Sequence, residues 1–329
     1  VNKLSYPHAP IGELDKLAKA LNIELSELQT ITDKSDSLFF QTKEIIKNDG
    51  SSRFTYDARP TLKVIHGKVC EAFLKRVNYP DYLQGSIKRR DYLTDARKHA
   101  GSKVLISEDI TNFFPSISKK VVHEMWVGVF GFSNVVAECL AELVTLNGFV
   151  VQGAKTSSYI CNLVLWNREE RLVNSLKTRG LIYTRYVDDV TVSSKRLISL
   201  NEKSKIINSI YSLFRSIGAK PNRNKHKIMP RNTQQEVHGV NVNKNQPTMP
   251  KEKRKKIRAA VHRCEITYKQ TPDSIEYCAL FNSVMGKVNT LGRMHTSEAD
   301  KLRLRLSQVK PVSAQSLNKP LVSNTGLIT

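Results

Sequence analysis

Residues 181–192 constrain this chain more than any other stretch. Leu181, Ile182, Tyr183, Thr184, Arg185, Tyr186 and Val187 run into Asp188 and Asp189, and Val190, Thr191 and Val192 follow. β-Branched and aromatic residues favour strands. No glycine or proline interrupts the run, so two short strands are expected to meet at a pair of adjacent aspartates. Neighbouring carboxylates held near a core repel each other and are costly to desolvate. A bound cation relieves both costs, and Mg2+ prefers carboxylate oxygens while keeping positions open for substrate phosphates. A solvated hairpin turn, where Asp is common, is the plainer reading. This stretch alone leaves both open.

At 329 residues the chain is too long for one core of ordinary size, so two or three subdomains are expected. Its 52 Lys and Arg outweigh 30 Asp and Glu, for a formal net charge of +22. That balance points to a polyanionic partner, nucleic acid ahead of an anionic membrane surface. No apolar run approaches the roughly 18–20 residues that span a bilayer, and no apolar signal region follows the first five residues. A soluble, cytoplasmic protein with no membrane partner is expected. The five cysteines (Cys70, Cys139, Cys161, Cys264 and Cys278) are odd in number and form no Cys-x-x-Cys pair. This argues against a disulfide framework or a zinc site, and buried free thiols are expected instead.

Leu14, Leu17, Ala18 and Leu21, then Ile23, Leu25 and Leu28, recur at helical spacing on either side of Asn22. The pair reads as a small packing module or as a DNA-reading helix pair. Residues 38–66 read as extended, with a hairpin turn at Asp49-Gly50-Ser51-Ser52, and an amphipathic helix is expected over about 61–75. Val104-Leu105-Ile106 is a buried-strand signal ended by Ser107-Glu108-Asp109. Helices are expected over 119–147, about 157–176 and 201–217. A basic strand region surrounds Lys225-His226-Lys227, and 237–242 is strand-like. The polar break at 243–247 is the best domain boundary. Beyond it, residues 251–263 hold seven basic residues and one acidic one, with Ile257, Val261 and Cys264 as an apolar stripe. From about Ser316 the composition is that of a loosely ordered tail.

Asp109 stands at the end of its strand signal, where a carboxylate can project into a cleft or cap a helix. Two-metal phosphoryl transfer needs carboxylates from separate strands converging on two ions about 3.5–4 Å apart. Asp109 and Asp188 supply that convergence if their strands are neighbours. Between them, Gln152-Gly153 precedes a helix. The glycine either lets backbone approach a ligand or belongs to an ordinary capped loop.

These segments carry a resemblance. Phe113-Phe114-Pro115-Ser116 after Asp109, the Gln152-Gly153-Ala154 turn, and Tyr186-Val187-Asp188-Asp189 resemble the successive palm motifs of reverse transcriptases, most nearly those of bacterial retron-type enzymes. Residues 181–186 are similar to their entry into the catalytic hairpin. Asp95-Ala96-Arg97-Lys98-His99 resembles a retron motif that usually begins with Asn. Val237-His238-Gly239 resembles one whose middle residue is usually Thr. The resemblance runs from about Arg53 to about His262.

It implies an α+β right-hand fold of fingers, palm and thumb, with an antiparallel palm sheet packed on helices. N-terminal helices and fingers would occupy 1–104. The palm would occupy 105–246 with a fingers insertion at about 119–148, followed by a thumb over 247–312 and a tail over 313–329. Asp109, Asp188 and Asp189 become the catalytic carboxylates, holding two Mg2+ ions (or Mn2+) with the Ile110 carbonyl as a further ligand. Phe114 matches the residue that excludes a ribose 2′-hydroxyl, Gln152 one that touches nucleotide and template, and Arg53 the fingers arginine that binds triphosphate. Lys225 or Lys227 matches the palm lysine near pyrophosphate, where leaving-group charge grows. Lys253, Arg254 and Lys256 fit a thumb helix tracking a nucleic-acid backbone, or else a solvated face.

The implied activity is RNA-directed DNA synthesis from dNTPs. As a retron enzyme the protein would bind a cognate structured non-coding RNA and extend DNA from a 2′-hydroxyl of that RNA. The product would be branched RNA–DNA (msDNA), made in anti-phage defence beside a toxin or nuclease effector. The compact length favours a retron over a group II intron enzyme. Abortive-infection and diversity-generating types are further alternatives. A non-catalytic RNA-binding scaffold is the alternative outside the class, and three intact aspartates argue against it, since buried unpaired carboxylates are a liability without metal. Lys155 and Ser158 stand where the family usually has Pro. Their loss loosens the turn before the helix without removing a catalytic group.

Overall fold

Pro60 fixes the start of one helix, Asn22 breaks another pair, and most of the remaining punctuation follows local chemistry in the same way. The computed structural model describes residues 3–46, 50 and 52–311. Asp49 and Ser51 of the expected hairpin turn, and the expected tail from Ser316, lie outside them. The chain divides into two compact units, Val1–His238 and Gly239–Thr329.

The first unit opens with α1 (Leu14–Ala20) and α2 (Leu25–Asp33). Asn22 separates them in the left-handed region at φ 50°, which Asn tolerates better than most residues. Leu17, Leu21, Leu28 and Ile31 bury against the same core as the helices that follow, as a packing module does. Strands β1 (Phe39–Ile46) and β2 (Ser52–Ala58) pair antiparallel. Pro60 then occupies the first turn of α3 (Pro60–Ala72), where its missing N–H costs nothing. Helix α4 (Tyr92–His99) starts at a capping box in which Asp91 accepts from the Thr94 amide and the Thr94 hydroxyl accepts from the Asp91 amide.

Strand β3 (Val104–Thr111) is longer than its sequence signal. It continues through Ser107, Glu108 and Asp109 because antiparallel partners lie on both sides and satisfy its backbone. Asp109 is therefore within a strand and not at a helix cap. After it come α5 (Phe113–Ser116), α6 (Lys119–Phe130), α7 (Asn134–Val144), α8 (Ser157–Leu163) and α9 (Glu169–Thr178). The single helix expected over 157–176 is thus two. The break lets Trp166 pack on Gly128 of α6, where any β-carbon would meet the indole at 2.0 Å. It also starts α9 at Glu169, a buried acid with a partner described below.

Strands β4 (Leu181–Tyr186) and β5 (Asp189–Ser194) form the expected hairpin, followed by α10 (Leu200–Arg215), β6 (Lys220–Pro221) and β7 (Lys227–Pro230). The sheet runs β4-β5-β3-β6, with β7 also on β3, antiparallel throughout. Val104, Ile106, Ile110, Tyr183, Val190 and Val192 join its apolar face to the helical core. The stretch read as one strand over 237–242 is two-residue pieces, β8 (Glu236–Val237) and β9 (Val240–Asn241), interrupted where His238 and Gly239 take positive φ.

The second unit is three helices, α11 (Lys251–Gln270), α12 (Ile275–Gly292) and α13 (Thr296–Ser307). Ile257, Val261 and Cys264 of α11 bury against Tyr277, Val284 and Val288 of α12 and Leu302 and Leu306 of α13, as the apolar stripe requires. Among the described residues no helix is long and apolar enough to cross a membrane. Cys70, Cys139, Cys161 and Cys264 are buried free thiols, and Cys278 is half-buried.

Candidate active site

The register of the sheet brings the aspartates together. Asp109 of β3 lies directly opposite Asp189 of β5. One residue back in the turn, the Asp188 carbonyl accepts from the Ile110 amide at 3.2 Å. Three aspartates therefore stand at one end of the strands, with the Ile110 backbone beside them. Burial raises the Asp188 carboxyl above its ordinary value and the Asp109 charge adds to the rise, against Lys225 and Arg53. Burial, then Asp188, pushes Asp189 up to about 7, with His238 and Lys225 opposing. Like charges in a desolvated cluster disfavour ionisation together.

Lys225 partly answers that repulsion. Its Nζ donates to Asp109 Oδ2 at 2.7 Å. Burial would lower the ammonium pKa, but the Asp109 hydrogen bond and the three carboxylate charges raise it. Lys227, the alternative lysine, pairs with Ser107 farther down β3. Among the described residues no three ligating side chains are already gathered as a metal cluster. The donor set nonetheless suits a hard divalent cation: carboxylate oxygens on adjoining strands, with Asp188 and Asp189 raised by burial and by neighbouring negative charge, both of which such an ion offsets.

Arg53 on β2 donates from Nε to Gln152 Oε1 at 2.5 Å, so these two predicted nucleotide contacts meet in one place. The adjoining Gly153 has φ 116°, and a β-carbon there would lie 2.2 Å from the Tyr56 carbonyl oxygen. The close approach that demands glycine is thus to β2, whose Tyr56 amide donates to the Gln152 carbonyl at 2.8 Å. Phe114 sits half-buried on α5, just past β3. Lys253, Arg254 and Lys256 lie on α11 in the second unit. There Arg254 is bound to Glu298 at 2.6 Å and Lys253 to the Gly239 carbonyl at 2.8 Å, while Lys256 is exposed.

Residues 45–242 match the family described as reverse transcriptase (RNA-dependent DNA polymerase). The chain is 35% identical to the Retron Se72 reverse transcriptase of Salmonella heidelberg (strain 579083-10), covering 95% of this chain and 83% of that one. It is 34% identical to the Retron Ec48 reverse transcriptase of Escherichia coli, covering 94% and 79%. The chain belongs to the retron-type reverse transcriptases. Among solved structures it is similar to a telomerase from Candida albicans in complex with a TWJ fragment of telomeric RNA. That likeness has 10% identity and a TM-score of 0.47, and covers 88% of this chain and 60% of that one. This reverse transcriptase is accordingly an RNA-directed DNA polymerase of α+β fold, dependent on a divalent metal ion and using an RNA template.

The sequence did not reveal what holds the aspartate turn. Val187 has φ 59°, costly for a β-branched residue. Arg185, fully buried, donates from Nη1 to the Val187 carbonyl at 3.0 Å. The same guanidinium forks onto Glu169 at 2.6 and 2.8 Å and caps the carbonyls of Cys161 and Asn162. Tyr183 adds its hydroxyl to Glu169 at 2.7 Å. Asn162 donates to the Gly85 carbonyl at 2.7 Å, and a β-carbon on Gly85 would sit 2.6 Å from Val187 Cγ2. An arginine between apolar strand residues was the available signal, because a buried guanidinium needs a carboxylate.

Proposed function

We propose that this reverse transcriptase binds a cognate structured non-coding RNA and starts DNA from a 2′-hydroxyl within it. The branched RNA–DNA product would serve anti-phage defence with a partner effector protein. The reading rests on Asp109 standing opposite Asp189 in the sheet register of a retron-type chain. Asp109, Asp188 and Asp189 would hold Mg2+, which when bound supplies charge neutralisation at the attacking hydroxyl and the leaving pyrophosphate. Lys225, already on Asp109, is placed to donate toward the leaving group. Arg53 and Gln152 form a preassembled contact for the incoming triphosphate. Phe114 presents its ring to the sugar and so selects deoxynucleotides. Lys253, Lys256 and, in part, Arg254 would track nucleic-acid phosphates.

Purified protein with its cognate RNA, dNTPs and Mg2+ should give a DNA product joined to RNA through a 2′ linkage, mapped by debranching and sequencing. Asp188→Ala should abolish it. Product of equal yield from Asp188→Ala would remove the carboxylate mechanism. A product joined at a 3′ end would overturn the 2′ priming.

A further inference from the structure

Two of the positions at which the chain departs from the family's motifs, Asp95 and His238, are bonded to each other across 143 residues of sequence. His238 Nε2 lies 2.7 Å from Asp95 Oδ2, while Nδ1 faces Asp189 Oδ2 at 3.6 Å. The imidazole also lies against Tyr186, with ring centroids 4.6 Å apart. Only a side chain with two opposed nitrogens spans both carboxylates in this way; the hydroxyl of a Thr has no such reach.

Asp95 is a fixed anchor. It is 1% exposed on α4. One helical turn on, His99 of α4 binds Thr184 of β4 and Ser193 of β5, each at 2.7 Å. Helix α4 thus binds both strands of the aspartate hairpin through His99 and, through Asp95 and His238, faces the Asp189 carboxylate. His238 itself is held at φ 50° and is 13% exposed on its side chain, so it has little freedom to turn away.

We propose that Asp95 and His238 are positioning residues that fix the Asp189 carboxylate, with Asp95 orienting the imidazole and the imidazole bracing Asp189 beside Asp109 and Asp188. This rests on the reading of the three aspartates as a metal site. Partners behind a metal ligand set its orientation, and losing one weakens metal binding about 10–100-fold.

The test is Mn2+ binding to the full chain by calorimetry, with the Mg2+ concentration for half-maximal DNA synthesis measured alongside and melting curves to show that each variant folds. His238→Ala and Asp95→Leu should each weaken Mn2+ binding about tenfold and raise the Mg2+ requirement in parallel. The dNTP KM at saturating Mg2+ should stay unchanged. The double variant should be no weaker than either single one. Asp95→Asn, which keeps an acceptor for Nε2–H, should restore most of the affinity. Wild-type Mn2+ affinity in folded His238→Ala, or additive losses in the double variant, overturns the couple. Asp188→Ala separates the two levels. If it too binds Mn2+ normally, the metal-site reading falls; if it alone loses binding, only the couple does.

Discussion

Gly85 contributes only backbone, and the aspartate turn needs that. A methyl group there would press on Val187 Cγ2 at 2.6 Å and on the Val187 amide nitrogen at 2.8 Å, both too close to accommodate. Val187 is already in an unfavourable conformation and is tied to Arg185, so the turn must shift with Asp188 attached. Gly85→Ala should therefore lower the rate of nucleotide addition by about 100-fold, the scale for a 1 Å misplacement, with a smaller fractional effect on dNTP KM. Single-turnover extension on a primed RNA template measures this, and an unchanged rate in a folded variant rejects it. Residues of this kind were silent in the sequence. Asp188 and Asp189 stand out because charge beside strand-forming residues is anomalous. Gly85 and Asn162 act through backbone approach and a carbonyl bond, which leave no compositional trace. Asp95 and His238 were visible only as two unrelated departures until folding joined them.

At the scale of elements, periodicity located α1, α2, α6, α7, α10 and α11, because each buries one stripe against a core. It failed where a tertiary contact overrode the local pattern. Strand β3 extends through three polar residues because two antiparallel neighbours bond its backbone, and α8 and α9 part where Glu169 must reach Arg185. Another such contact ties α3 to α7. His66 is fully buried on α3 and its Nε2 lies 2.7 Å from the Leu143 carbonyl oxygen. Burial holds its imidazole down at about 4, against the Leu143 bond and the Asp57 charge that raise it. The unfolded chain protonates this histidine near 6.5. Above that pH both states are neutral and the contribution to stability is full. As pH falls from 6.5 toward 4 the unfolded state alone binds the proton, so stability drops, by up to about 3 kcal/mol. Below 4 both states are protonated and the loss levels off. Urea unfolding at pH 7 and pH 4.5 should show this loss in the wild type and a flatter dependence in His66→Gln. Equal slopes in the two proteins would reject His66 as the source.

On the whole-molecule scale the charge is uneven, and that asymmetry bears on how nucleic acid is held. Gly239–Thr329 holds 16 Lys and Arg against 6 Asp and Glu, a denser excess than in the rest of the chain. Not all of it is free to meet phosphate. Arg254 and Arg258 share Glu298, and Arg305 is committed to Glu265. Lys256 is exposed on α11, and Lys253 holds only a backbone carbonyl, which a phosphate outcompetes for an ammonium. Replacing Lys253, Arg254 and Lys256 together with Ala should weaken RNA binding. It should also reduce the slope of log affinity against log salt by about 1.5, equivalent to two phosphate contacts on single-stranded RNA. Arg254→Ala alone should leave the slope almost unchanged and instead lower the melting temperature, because Glu298 loses one of its two arginine partners. Filter binding across a salt series, with melting curves for each variant, separates these effects. If the triple variant keeps the wild-type slope, α11 presents a solvated face and the excess charge meets RNA elsewhere. If Arg254→Ala accounts for the whole change, its ion pair with Glu298 opens when RNA binds, and the charges on this helix exchange partners between the free and bound protein.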